Sequence, residues 1–150
     1  MRDPFDLQRF LDAQARVYAQ VCAELSAGQK SSHWMWFIFP QMRGLGRSRT
    51  AESFGMLSLE EANAYSAHPV LGTRIRECCR RLLAITSNDA SAVFGFPDDL
   101  KLRSSMTLFS RAVPEEAVFQ QVLEKFFNGT EDAATLNLIR EAATHSIARR

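Results

Sequence analysis

The chain has 150 residues, 46% of them hydrophobic and 23% charged, a composition that excludes a disordered tail, a collagen-like repeat and a disulfide scaffold. Its 18 Lys and Arg stand against 17 Asp and Glu, so a net charge of +1 excludes wholesale coating of nucleic acid or anionic lipid. Any anion site must be local.

A domain of this length buries roughly two thirds of the surface its unfolded chain exposes, enough for a core without staples. The three cysteines, Cys22, Cys78 and Cys79, are odd in number, and two are adjacent. None stands in a CxxC spacing, so they read as reduced thiols, and no metal or cofactor is expected. Residues 1–8 carry charges where a signal peptide needs an apolar run, and no stretch approaches ~20 apolar residues. The reading is one soluble, cytoplasmic domain over residues 1–150, its last few residues frayed.

Asp3 can cap a first helix, Pro4 suits its opening turn, and Leu7, Leu11, Tyr18, Val21 and Leu25 recur at helical spacing until Gly28 ends it. Ser58 and Glu61 have capping-box spacing before a helix that runs to His68 and Pro69. The next, over about 71–85, puts Leu71, Ile75, Cys78, Cys79, Leu82 and Leu83 on one face, which makes both cysteines core filler. A short helical turn follows at about 90–94. The segment 97–112 starts with Asp98 and Asp99, suited to the open amides of a helix start. Pro114 opens another helix with the broad apolar face Val118, Phe119, Val122, Leu123, Phe126 and Phe127, stopped by Asn128 and Gly129. The last, capped near Asp132, carries Leu136, Ile139, Ala143 and Ile147. The expectation is an all-α fold, a compact multihelical domain of about six to seven helices with a basic, glycine-containing loop.

Two segments resist a purely structural reading. Residues 28–50 hold Lys30, Arg43, Arg47 and Arg49 without an acid, together with both tryptophans and three of the seven glycines. The apolar run 34–39 is short and stopped by Pro40, as in a buried short helix or strand. Gly44 and Gly46 could turn backbone amides toward an anion while the arginines supply paired donors to phosphate oxygens. Trp34 and Trp36 lie two apart and point about 200° apart on a helix, so at most one faces a ligand and the other packs inside. The second segment, 97–111, sets Ser104, Ser105 and Thr107 among Leu102, Met106, Leu108 and Phe109, where hydroxyls compete for backbone groups. Asp99, Lys101, Arg103 and Ser104 together offer acid/base, phosphate and ribose-binding chemistry. The plainer alternative is a capped amphipathic helix with a polar face.

Gln14 places an amide on the Leu7, Leu11, Tyr18, Val21 stripe, where leaving it unbonded would cost on the order of 1–3 kcal/mol. It therefore joins a structural network or a ligand. Of His33, His68 and His145, only His33 tempts as a catalyst, and no metal-ligand spacing unites them.

The stretches KSSHWMWFIFPQMRGLGRS, EEANAYSAHPVLGTRIREC, FGFPDDLKLRSSMTLF, FFNG and DAATLNLI, with the opening FDLQRFLDAQ, resemble the bacterial family catalogued as domain of unknown function 1810. The resemblance runs over about residues 5–139 and implies a multihelical single domain. Some members carry a calpastatin label, but that inhibitor is a disordered, repetitive chain, unlike this one. A more distant resemblance is to the NAD- and ADP-ribose-associated superfamily, small helical domains acting on ADP-ribose derivatives. It implies a pyrophosphate on the glycine loop and adenine stacked on an aromatic of the tryptophan segment. That superfamily has a glutamate directly before a histidine, whereas Ser32 precedes His33 here, so the expected acid is missing.

These features favour a domain that binds, and by extension hydrolyses, a nucleotide or ADP-ribose-type ligand. Lys30, Arg43 and Arg47 would neutralise phosphate, Trp34 or Trp36 would stack on the base, Gln14 and Gln41 would read polar edges, and Asp99 or His33 would act as general acid/base. The alternative is a noncatalytic interaction domain that docks an acidic protein or single-stranded RNA on the same patch. Neither involves a membrane or duplex DNA. Eleven phenylalanines could also cover a homodimer face.

Overall fold

The structure, a computed structural model, describes residues 3–148, and side chains for residues 3–144. The expected inward contact of Ile147, the side chain of His145 and the fraying of the last residues lie outside what it describes. The described residues form ten helices and no strand, three helices more than the upper expectation.

The first difference is a break in the opening helix. Asp3 does cap it, its carboxylate accepting from the Leu7 and Gln8 amides at 2.8 and 3.0 Å. After α1 (Gln8–Gln14), however, the Val17 amide reaches back only three residues, to the Gln14 carbonyl at 3.1 Å, and a new helix, α2 (Tyr18–Ala27), begins. This tighter turn lets both Phe10 and Gln14 on one side, and Val21 and Leu25 on the other, reach the interior. The apolar stripe continues across the turn, so periodicity alone does not reveal it.

The other two extra helices lie in the basic segment. The run after Trp34 becomes the single-turn α3 (Met35–Ile38), and α4 (Arg49–Phe54) is capped by Ser48, whose side chain accepts from the Ala51 amide. A parallel bridge between Met42 and Met56 closes this stretch on itself, through Arg43 N to Met56 O and Met56 N to Gln41 O, both 2.9 Å.

The rest follows its local signals. Gly28, Asn128 and Gly129 hold positive φ at helix ends, where left-handed backbone favours glycine and asparagine. Ser58 caps α5 (Leu59–Ala67) by accepting from the Glu61 amide at 3.1 Å. Helix α6 (Leu71–Ala84) buries the predicted face except Leu83, which is half-buried, and includes Cys78 and Cys79 as free thiols; burial pushes the Cys78 thiol up to about 12. Helices α7 (Ala90–Phe94), α8 (Asp98–Ala112), α9 (Ala117–Phe127) and α10 (Ala133–Ala148) complete the chain. Pro114 to Glu116 form the turn before α9 rather than its first turn.

Helix α8 is the hub, packed against α5, α7, α9 and α10 and touching α3. Seven of its residues are buried, including Ser104, Ser105 and Thr107, because neighbours cover it on several sides. Small hydroxyls fit such a helix where larger polar groups would not. They also dock α10: the Ser104 hydroxyl donates to Asp132 Oδ2 at 3.0 Å, and the Thr107 hydroxyl accepts from the Asp132 amide at 2.9 Å. Asp132 in turn caps α10 through the Thr135 amide at 3.1 Å. Ser104 and Thr107 are thus spent on helix docking, while the buried Ser105 hydroxyl has no hydrogen-bond partner among the described residues.

Candidate functional site

The basic segment is anchored by a residue that the sequence reading passed over. Glu24, on the buried Val21/Leu25 face of α2, is 4% exposed and accepts five hydrogen bonds. Oε1 takes the Ser31 and Ser32 amides and the Trp34 indole N–H at 2.7, 3.0 and 2.9 Å, while Oε2 takes the Ser32 hydroxyl at 2.5 Å and the Gln20 amide at 2.9 Å. Burial works to raise its pKa, but these donors outweigh it and hold the carboxyl far below the usual range. A charged residue at i+3 of an apolar stripe is the signal that could have found it. The result fixes Trp34 in the core, 1% exposed.

The chain then meets α8, as a single basic site would require. Lys30 Nζ lies 2.7 Å from Asp98 Oδ2, and Lys101 Nζ 3.0 Å from Asp98 Oδ1. Burial tends to raise the Asp98 pKa, but the two ammonium groups overcome it and the net shift is downward. Lys101 Nζ stands 4.0 Å from the centroid of the half-buried Trp36 ring, a cation–π contact. Against the edge of the same ring lies Gly46, where an added Cβ would sit 3.0 Å from the indole and 2.7 Å from the Ala51 Cβ. The backbone can pass there only without a side chain. Arg47 and Arg49 leave this point exposed, without an ion pair among the described residues.

Trp36, Gly46 and Lys101 therefore meet on one face, with Lys30 buried behind Asp98, its ammonium also donating to the Ser32 carbonyl at 2.6 Å, over Trp34. The other candidates are engaged elsewhere. Arg43 faces Glu52 at 4.0 Å across the surface, and Arg103 faces Asp132 at 3.9 Å. Gly44 takes φ +108° beside Leu138. Gln14 is wholly buried in a structural knot: its Nε2 donates to Phe37 O and to the Tyr65 hydroxyl at 2.8 and 2.9 Å, and its Oε1 accepts from Arg74 at 3.2 Å. Gln41 is buried beside the Met42–Met56 bridge and holds it through its backbone carbonyl. Asp99 Oδ1 accepts from the Leu100 amide, and His33 is exposed.

Among the described residues, the best-formed surface cavities measure about 300 to 590 Å³, and none of these is lined by Lys30, Trp36, Lys101 or Arg103. Arg43 lines one with Arg9, Glu52 and Glu61, and Glu24 lines another. Among the described residues, no cluster of His, Cys, Asp or Glu is placed to hold a metal, and no helix is long and apolar enough to cross a membrane.

An all-helical domain whose basic segment is clamped between a buried glutamate and an ion-paired helix start is the class that this geometry defines. The chain belongs to the family described as protein of unknown function (DUF1810), whose model matches residues 4–139. It is similar to the conserved hypothetical protein Rv1873 from Mycobacterium tuberculosis, a solved structure, at 51% identity and a TM-score of 0.90, over 92% of this chain and 99% of that one. No curated protein matches it. Neither relative ties the chain to the NAD- and ADP-ribose-associated superfamily.

Proposed function

We propose that this chain binds a phosphate-bearing ligand of nucleotide or ADP-ribose type on the open face around Trp36, as a cytoplasmic binding module. The observation that carries the reading is the bracketing of the Trp36 ring by Lys101 on its face and by Gly46 on its edge, with Arg47 and Arg49 exposed directly after. A ring offers a base a stacking surface, and the cations beside it answer the phosphate. Lys101 keeps part of its side chain exposed beside Asp98, whose other oxygen is taken by the buried Lys30.

The reading stops at binding. A general acid or base needs a second group to orient it, and neither His33, exposed, nor Asp99, turned to its neighbour's amide, is held that way. The openness of the face supports a second reading, docking of an acidic protein or RNA strand, whose affinity would fall steeply with salt.

Titration of AMP, NAD and ADP-ribose followed by tryptophan fluorescence tests the proposal. The expected result is a saturable change in wild type and in Trp34→Phe, lost in Trp36→Ala, with Arg47→Ala weakening binding about fivefold, the loss of one charge-assisted contact. No fluorescence change, heat or thermal shift at millimolar ligand would end it.

A further inference from the structure

We infer that Cys22 and Cys78 are a redox couple that closes into a disulfide under hydrogen peroxide and clamps α2 to α6. The two helices pack together, and two contacts fix their register. The Arg74 guanidinium carbon stands 4.7 Å from the centroid of the Tyr18 ring, and an Arg81 nitrogen donates to the Ser26 hydroxyl at 2.6 Å. Both partners advance along their helices together, so α2 and α6 run parallel. Residues 18, 22 and 26 form one stripe of α2, and residues 74, 78 and 81 one stripe of α6, each about a turn from the next. Cys22 stands midway between its two anchored neighbours, and so does Cys78, which sets the two sulfurs opposite each other. Electrostatics agree: burial is the main cause that raises the Cys78 thiol, and Cys22 is the next. Both sulfurs lie beside the Tyr18 hydroxyl, which is buried and makes no hydrogen bond among the described residues.

Direction separates this pair from the third cysteine. Cys79 turns about 100° away from Cys78 on the helix and meets Met106 of α8, sulfur to sulfur, at 3.7 Å. Access separates the two members: Cys22 is half-buried and open to a small oxidant, whereas Cys78 is buried. The Cys22 thiolate attacks one peroxide oxygen, the O–O bond breaks, and a sulfenic acid and water result. The Cys78 sulfur then attacks the Cys22 sulfur. The S–S bond forms as the S–O bond breaks, and the departing hydroxide takes the Cys78 proton as a second water. Two thiols and one peroxide become one disulfide and two waters, the peroxide accepting both electrons. In a reducing compartment such a bond is transient, as a sensor requires. Its position gives it a target. Cys22 stands two residues before Glu24, the carboxylate that holds the basic segment, so the clamp fixes that anchor against α6.

The test is intact mass spectrometry of the full chain after hydrogen peroxide treatment under native conditions, with remaining thiols alkylated on unfolding. Expected is a monomer short of two hydrogens, restored by dithiothreitol, in wild type and in Cys79→Ala, with one thiol left for alkylation in the first and none in the second. Cys22→Ser should show no such loss. In Cys78→Ala, where Cys22 has no partner, oxygen should be added to Cys22 in place of the loss. Cys22 is half-buried and serine is close to it in size, so Cys22→Ser should keep its far-ultraviolet circular dichroism, and the missing bond then reads the pairing. Loss of two hydrogens in Cys22→Ser would assign the bond to Cys78 and Cys79 and overturn the inference. A disulfide-linked dimer would overturn it by showing that Cys22 reaches another chain first. Oxygen added to Cys22 in wild type without loss of hydrogens would place Cys78 out of reach, and three alkylated thiols after peroxide would show an inert pair; either result overturns it as well.

Discussion

Glu24→Ala is expected to destabilise the domain by on the order of 3–5 kcal/mol, a large share of the 5–15 kcal/mol that keeps a typical domain folded. The side chain does not contribute one contact but ends five, and its removal leaves the Trp34 indole N–H and the Ser31 and Ser32 amides without their acceptor next to the core. Buried donors stripped of a partner forfeit their desolvation as well as their bond. Urea unfolding followed by far-ultraviolet circular dichroism reads the loss, and near-ultraviolet signal from Trp34 should weaken before the midpoint. A midpoint shift equivalent to less than about 1 kcal/mol would mean that the loop is held by something else.

Acid should act on the same bonds. The folded pKa of Glu24 lies below that of the unfolded chain, near 4.3 for a free glutamate, so its contribution is complete above that pH and drains away as pH falls toward the folded value. Glu24→Gln keeps the shape, allows the Gln20 amide and the Ser32 hydroxyl to reverse their roles, and cannot titrate. It should therefore cost less than alanine, about 1–2 kcal/mol, and flatten the acid limb of the stability profile.

Gly72→Ala is expected to cost about 3 kcal/mol, against the gain of about 1 kcal/mol that alanine brings inside an ordinary helix. An added Cβ would lie 1.9 Å from the Ser66 carbonyl oxygen and 2.8 Å from its carbon, and both belong to backbone. That carbonyl also accepts from the Arg76 guanidinium at 3.0 Å, and the added Cβ would come 3.1 Å from the same guanidinium nitrogen. Relief requires α5 and α6 to separate at the corner where His68 accepts two amides of the following turn on Nδ1, at 3.1 and 3.2 Å. Chemical denaturation of the variant should show the loss; stability equal to or above wild type would show that the corner yields.

What could be read along the chain was whatever neighbours in sequence decide. Ser58, Gly28 and the Asn128–Gly129 pair end or begin helices through bonds to residues three to six positions away, so their meaning is local. That Trp34 and Trp36 would divide, one packed inside and one not, was also legible from their spacing, although Trp34 sits just before the α3 turn and not on it. Which of them turned inward was not, since that depends on Glu24 ten residues earlier. Asp98 reads locally as a partner for open amides at a helix start, and its actual partner Lys30 is 68 positions away. The tight turn at residues 15–17 was hidden by an apolar stripe that keeps its spacing across it, and α4 by glycines and arginines that signal loop. That Phe96 stays exposed was invisible for a different reason: phenylalanine is ordinarily core, and only packing the other ten around a common centre shows that this one is left over.

The knot around Gln14 bears on how the molecule comes apart. One amide ties α1 to the Phe37 carbonyl of α3, the Tyr65 hydroxyl of α5 and Arg74 of α6, and the same hydroxyl bonds the Phe37 carbonyl at 3.1 Å. Opening any one of these elements exposes polar groups belonging to the other three, so partial opening gains little entropy while losing several bonds together. Segments 14, 37, 65 and 74 should therefore exchange their amide hydrogens as one slow class, set by global unfolding, and the first half of the chain should behave as a single cooperative unit.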